Sequence, residues 1–237
     1  MAQGTQARTH ADQLARDGVV SIPNYLDDEL CVEIRDSIDE ALENGDIVVA
    51  DESMDYREKV EADVPVMNKR SGEFDSGMLD IFNVDYIHPK LRAVRDDEFI
   101  TDIIETATGQ AYDSEHVNAY VNRSVTTTRG YHADTYSGKY KSFVYLTDVP
   151  DESYGPYSYT LGSHDPSFVE RMASSLVNKY WGNPPTDAVF HDESQVQTFT
   201  APKGTLIISD QSGYHRGIPQ EDGRERMLTS TAYQPVD

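Results

Sequence analysis

The spacing of apolar residues changes character about halfway along the chain. In the first part it follows helices. "THADQLARDGVVSIPNYL" predicts a short helix stopped at Gly18, then a β-branched run ended by Pro23. In "LDDELCVEIRDSIDEALENG", Leu30, Ile34, Ile38 and Leu42 recur every fourth position and so share one face of an amphipathic helix. Asp27 and Asp28 mark its start and Gly45 its stop. Residues 51–77 are polar and acidic and read as a long loop, the kind of segment that forms a lid or lines a binding site. "HPKLRAVRDDEFITDIIETATG" predicts two short helices, broken near Arg95–Asp97 and ended by Gly109.

From about residue 112 the runs shorten and become rich in Val, Tyr, Thr and Ile. "HVNAYVNRS", "KYKSFVYLTDV", "GPYSYTLG", "QVQTFTAP", "GTLIISD" and "RERMLTSTAY" are separated by Gly, Pro, Asp and Asn. Only "PSFVERMASSLVNKYW", residues 166–181, interrupts them with a helical period, and Trp181 is expected to anchor that helix. Many short strands with turn signals predict an antiparallel sandwich or barrel. Without an internal repeat or a linker, residues 1–237 are expected to form one domain: a mainly helical part over about 1–110 packed outside an all-β core over about 111–237.

Composition narrows the partners. The 237 residues carry 42 Asp and Glu against 20 Lys and Arg, a formal charge of −22. That balance argues against a nucleic-acid or anionic-membrane partner, because both need clustered cations. Lysine is the scarcer base, seven against thirteen arginines. An acidic, lysine-poor surface suits concentrated salt, while an ordinary acidic cytosolic protein remains the other reading. The lone Cys31 cannot form an internal disulfide and is expected to pack as a small apolar residue. With no apolar N-terminal stretch and no apolar run near the ~20 residues a membrane helix needs, a soluble cytoplasmic protein is expected.

Candidate chemistry begins at "RGYHADTYSGKYKSFVYLTDV", where His132 and Asp134 stand two apart ahead of a predicted strand. Side chains two apart on a strand share a face. Such a pair could grip a metal, form half of a proton relay, or lie in solvent. A second histidine, His215, follows the strand run "GTLIISD". Two histidines and one carboxylate can occupy one face of an octahedron and leave the other positions open, the donor set of non-haem Fe(II) oxygenases. His164 ends "LGSH" and reads as a turn residue; Ser163 and Asp165 beside it do not make a nucleophile–base arrangement.

The joint pattern is a His-x-Asp ahead of one strand, a distal histidine after another, and an arginine beyond the next turn. It resembles the phytanoyl-CoA dioxygenase family of Fe(II)/2-oxoglutarate oxygenases. The likeness runs from "RDGVVSIPNYLDDEL" to "TSTAYQP" and is densest in "YHAD", "SFVYLTDVPDESYGPYSYTLGSH" and "GTLIISDQSGYHRGIPQEDGRERM". It implies a mainly β fold with flanking helices around a double-stranded β-helix, a cupin-like jelly roll. It further implies Fe(II) held by His132, Asp134 and His215. Arg226 would bind the far carboxylate of 2-oxoglutarate, with Arg224 in reserve. Phe143 and Asn118 match cosubstrate contacts less closely, with Tyr120 and Asn122 as alternatives to Asn118 and Lys141 as a further anion contact. The implied reaction consumes O2 and 2-oxoglutarate, releases succinate and CO2, and hydroxylates a C–H bond. Asp134 stands where related halogenases have a small residue, which favours hydroxylation.

This sequence departs from the family at Tyr131, Leu161 and Gly217, where tryptophan, proline and a serine or threonine are common. The alternatives are desaturation, cyclisation or epimerisation at the same iron, a non-catalytic small-molecule binder, and a zinc hydrolase. Residues 51–77, with Lys69 and Arg70, and the 150–158 loop are expected to line the substrate pocket. Arg216 is expected in an exposed salt bridge.

Overall fold

The computed structural model describes residues 2–51, 53–182, 184, 186–189 and 191–236. Its elements in chain order are α1 (Ala2–Asp17), β1 (Val19–Ile22), α2 (Asp28–Asn44), β2 (Val48–Val49), α3 (Tyr56–Val60), β3 (Val66–Lys69), β4 (Leu79–Phe82), α4 (Lys90–Arg95) and α5 (Glu98–Thr108). There follow β5 (Tyr112–Arg123), β6 (Tyr140–Tyr145), β7 (Tyr157–Thr160), α6 (Phe168–Trp181), β8 (Val196–Phe199), β9 (Leu206–Asp210), β10 (His215–Gly217) and β11 (Glu225–Pro235).

The helix boundaries follow from local chemistry. The Asp27 side chain accepts a hydrogen bond from Leu30 N at 2.8 Å, satisfying a backbone donor that has no partner within α2. Gly45 closes the same helix in the left-handed region, at φ 74°. Cys31, Ile34, Ile38 and Ala41 form its buried face. Asp97 caps α5 in the same way, and Gly109 ends it. Burial pushes the Cys31 thiol up to about 11, consistent with its packing as an apolar residue.

Two sheets form the core. The larger has eight strands in the order β1-β9-β6-β11-β5-β4-β3-β2, antiparallel except for the β2–β3 pair. The smaller is β10-β7-β8. This mainly β arrangement with flanking helices resembles a jelly roll, as expected. One face of the large sheet, with Val117, Ala119, Val121, Val144 and Met227, is buried together with residues of α1, α2, α4 and α5. The other face meets the small sheet around Phe143, Tyr145, Tyr157, Tyr159, Phe199 and Leu228.

Two expectations fail here. The β-branched run before Pro23 is β1, as expected, but the first part also holds β4, β3 and β2, which extend the large sheet beyond β5. Nor are residues 51–77 one loop. Asp55 and Glu58 form a reciprocal capping box at the start of α3, and β3 follows. These elements are too short to produce a period in the apolar residues, and they are stabilised by their place in the tertiary structure. Trp181 is also misplaced by the sequence reading: it is 66 % exposed, with its ring edge-on to Tyr180.

Candidate metal centre

The pleat of the large sheet aims alternate residues of each strand at the space between the sheets. On β11 these are Arg226 and Leu228, and on β6 they are Lys141 and Phe143. On β5 they are Tyr120 and Asn122. Register fixes the rows: Arg226 lies opposite Asn122, and Leu228 opposite Tyr120. These residues line a cavity of about 140 Å³ whose other wall carries His132, Asp134, Tyr157, Gln211 and His215.

The backbone locks the three candidate ligands together. His132 N donates to His215 O at 3.2 Å, and His215 N donates to His132 O at 2.9 Å. Asp134 N donates to Gln211 O at 2.9 Å. Thus the loop before β6 runs antiparallel to the segment entering β10. The ligand-capable atoms of His132, Asp134 and His215 all lie within 4.8 Å of one another.

Proton positions follow from the partners. His132 Nδ1 is 2.8 Å from Gly130 O, and His215 Nδ1 is 2.9 Å from Gly213 O. A carbonyl only accepts, so each Nδ1 carries the hydrogen and each Nε2 keeps a lone pair. Those Nε2 atoms lie 3.5 Å and 3.8 Å from Asp134 Oδ1. Burial also lowers the pKa of His215 to about 4, so its ring is neutral at pH 7. Two imidazole nitrogens and one carboxylate oxygen converge, as a divalent cation requires.

Asp134 has further partners. Lys141 Nζ donates to its Oδ2 at 2.6 Å, and Arg129 approaches Oδ1 at 3.7 Å. Burial opposes its charge, but the Lys141 ammonium holds the Asp134 carboxyl far below the usual carboxylate range. Oδ2 is therefore occupied by the lysine, while Oδ1 faces the imidazoles. Lys141, expected on the face of Phe143 as a further anion contact, does line the cavity with it, and the anion it meets is the Asp134 carboxylate.

Arg226 is 5 % exposed, and its Nε and Nη1 have no hydrogen-bond partner among the described residues. Burial lowers its pKa. A buried guanidinium with unused donors demands an anion, and its planar fork matches a carboxylate. Gly217 leaves room for it: a Cβ there would stand 3.4 Å from Arg226 Nη2. The serine or threonine common at this position in the resembled family would set its Cβ in ordinary van der Waals contact with the guanidinium.

Phe143 lines the cavity and packs against Tyr157 at 4.8 Å. Asn118 does not line it; its side chain faces a larger adjoining cavity, while Tyr120 and Asn122 on the same face reach the centre. Arg224 points away, donating to Tyr154 Oη at 3.2 Å with its guanidinium over that ring. It precedes β11, so strand alternation does not extend to it. His164 lies outside the cavity, with Nε2 3.2 Å from Ala15 O. Arg216 lines the cavity and forms no salt bridge among the described residues; it donates to Thr128 Oγ1 at 2.7 Å and lies over Tyr131. Of the 150–158 loop only Tyr157 reaches the centre, whereas Arg70, Asp75 and other residues of 51–77 line one or both cavities.

No protein-family model matches the chain, and no curated protein matches it in sequence. Solved structures do match in fold. The non-haem α-ketoglutarate-dependent carbocyclase SnoK from nogalamycin biosynthesis aligns at TM-score 0.68 and 17 % identity, over 97 % of this chain and 84 % of that one. The epimerase SnoN, in complex with Fe3+, α-ketoglutarate and nogalamycin RO, aligns at 0.62 and 17 %, over 97 % and 84 %. HygX from Streptomyces hygroscopicus, with nickel and 2-oxoglutarate bound, aligns at 0.63 and 13 %, over 97 % and 87 %. At these identities the likeness establishes the fold.

Proposed function

We propose that this chain is a non-haem Fe(II)- and 2-oxoglutarate-dependent dioxygenase that hydroxylates a C–H bond of a small molecule, releasing succinate and CO2. The observation that carries this reading is the pairing of the His132–Asp134–His215 cluster with the buried, unpaired guanidinium of Arg226 in one small cavity. The donor set suits Fe(II), and the orphaned guanidinium suits the distal carboxylate of 2-oxoglutarate. Solved structures of the same fold containing iron, nickel and 2-oxoglutarate support it.

When bound, the iron and 2-oxoglutarate supply the activation of O2 and the oxidising power. The chain does the rest. His132 and His215 present their lone pairs because Gly130 and Gly213 hold the Nδ1 protons. Asp134 offers Oδ1 because Lys141 occupies Oδ2, which favours binding through a single oxygen. Arg226 fixes the cosubstrate's orientation, and Phe143, Tyr157 and Leu228 make an apolar wall that excludes water. The fold neighbours described as a carbocyclase and an epimerase support a second reading, ring closure or epimerisation at the same centre.

Anaerobic titration with Fe(II) and then 2-oxoglutarate tests the proposal. A visible metal-to-ligand charge-transfer band is expected in the wild type and should be lost in Asp134→Ala. No band in a folded, iron-loaded wild type would sink it.

A further inference from the structure

Beside the metal centre lies a larger cavity of about 550 Å³, within the range of small-molecule sites. It shares Arg70, Asp75, Tyr120 and Lys141 with the smaller cavity, so a ligand held there borders the metal centre. Two features of its lining are unexplained by the fold.

Deep in the cavity are acceptor oxygens without partners. Asp80 is 7 % exposed and Asn118 5 %, and the Oδ1 of each has no hydrogen bond among the described residues. The other Asp80 oxygen takes a hydrogen bond from Arg70 at 3.3 Å. A carboxylate oxygen buried without a donor is costly, so the site calls for a ligand that brings one.

The second feature is charge. Lys59, Lys69, Arg70 and Lys141 line this cavity against only Asp75 and Asp80. Arg70 is engaged by both aspartates and Lys141 by Asp134, but Lys59 and Lys69 make no ion pair among the described residues. In a chain with 42 acidic and 20 basic side chains, a cationic cavity runs against the composition. An excess of positive charge disfavours an ammonium donor and favours an anion. The donors that Asp80 and Asn118 lack must then come from neutral hydroxyls.

We infer that this cavity is the substrate subsite and takes a hydroxylated anion, a carboxylic acid or phosphate ester whose carbon chain carries free hydroxyls. The hydroxyls meet Asp80 and Asn118, and the acid group meets Lys59 and Lys69. That it is the substrate's site rests on the oxygenase reading; the binding itself does not.

Calorimetric titration of the full-length protein tests it with four probes: D-gluconate, D-glucose 6-phosphate, D-glucose and hexanoate. At least one of the two hydroxylated anions should bind about tenfold tighter than both glucose and hexanoate. Comparing gluconate with glucose 6-phosphate tells a carboxylate from a phosphate. Lys69→Glu, at an exposed position, and Lys59→Glu should each weaken that binding about tenfold, and added salt should weaken it in the wild type. Asp80→Asn should narrow the preference over hexanoate. Equal affinity for all four probes, no binding of either hydroxylated anion, or indifference to both lysine substitutions would overturn the inference. The charge-transfer titration separates the two proposals: discriminating binding without that band leaves the subsite and removes the oxygenase, and the reverse result removes the subsite alone.

Discussion

Arg226 is a charge kept at a depth where charges are normally paired. Among the described residues its neighbours supply space rather than hydrogen bonds, which suits the binding role proposed for it. Replacing it with methionine should weaken 2-oxoglutarate binding by about 1.5–3 kcal/mol, the worth of a hydrogen bond to a charged group. The charge-transfer titration reads this as a shift in midpoint. The same substitution should leave the urea midpoint unchanged or raised, because it removes a buried unpaired charge. Cys31 behaves oppositely, as a residue whose role is packing. Its thiol titrates near 11 in the fold and about 8.5 when unfolded, so the unfolded chain loses the proton first. Its contribution to stability is therefore full below about pH 8.5 and lost as the pH rises towards 11. Unfolding midpoints measured across that interval should fall more steeply in wild type than in Cys31→Ala. At this scale the sequence is informative about residue type: the His-x-Asp, the distal histidine and the arginine are visible as letters. Asn118 against Asn122 is not, because both lie on the same face of β5 and only the position of the opposite wall distinguishes them.

Among the elements, those defined by their own ends were readable. Asp27 and Gly45 bracket α2, Asp97 and Gly109 bracket α5, and each acts through hydrogen bonds or backbone angles within a few residues. Asp27→Ala should lower stability by about 1 kcal/mol, measured by urea unfolding, without altering the metal centre on the far side of the sheet. Elements defined by their neighbours were not readable. β10 has three residues and exists because His215 pairs with Tyr159 on one side and bridges His132 on the other. β4 likewise gains its identity from β3 and β5. The same dependence moved Arg224 off the expected face, since strand alternation applies only where a strand has begun.

For the whole molecule, charge is sorted by location. The basic side chains Arg70, Arg129, Lys141, Arg216 and Arg226 gather at the metal cavity, where only Asp75 and Asp134 answer them, while the surface carries the acidic excess. Such a surface repels itself, and salt screens that repulsion over a Debye length that falls to about 3 Å at 1 M. The thermal midpoint of the apoprotein should therefore rise by several degrees from dilute buffer to about 1 M KCl, each kcal/mol being worth about 2–4 °C in a chain of this size. A midpoint that falls with salt would count against a salt-adapted surface. No helix among the described residues is long and apolar enough to cross a membrane. The sequence by itself determined the change from helical to strand character, the helix ends, and the kinds of side chain available for chemistry, because those depend on contacts a few residues long. The tertiary structure alone decided that Lys141 holds Asp134, that Arg226 keeps unused donors among the described residues, and that a cationic cavity opens beside the centre. Each of these depends on which strands lie side by side and in what register, and that is settled by packing between residues distant in the chain.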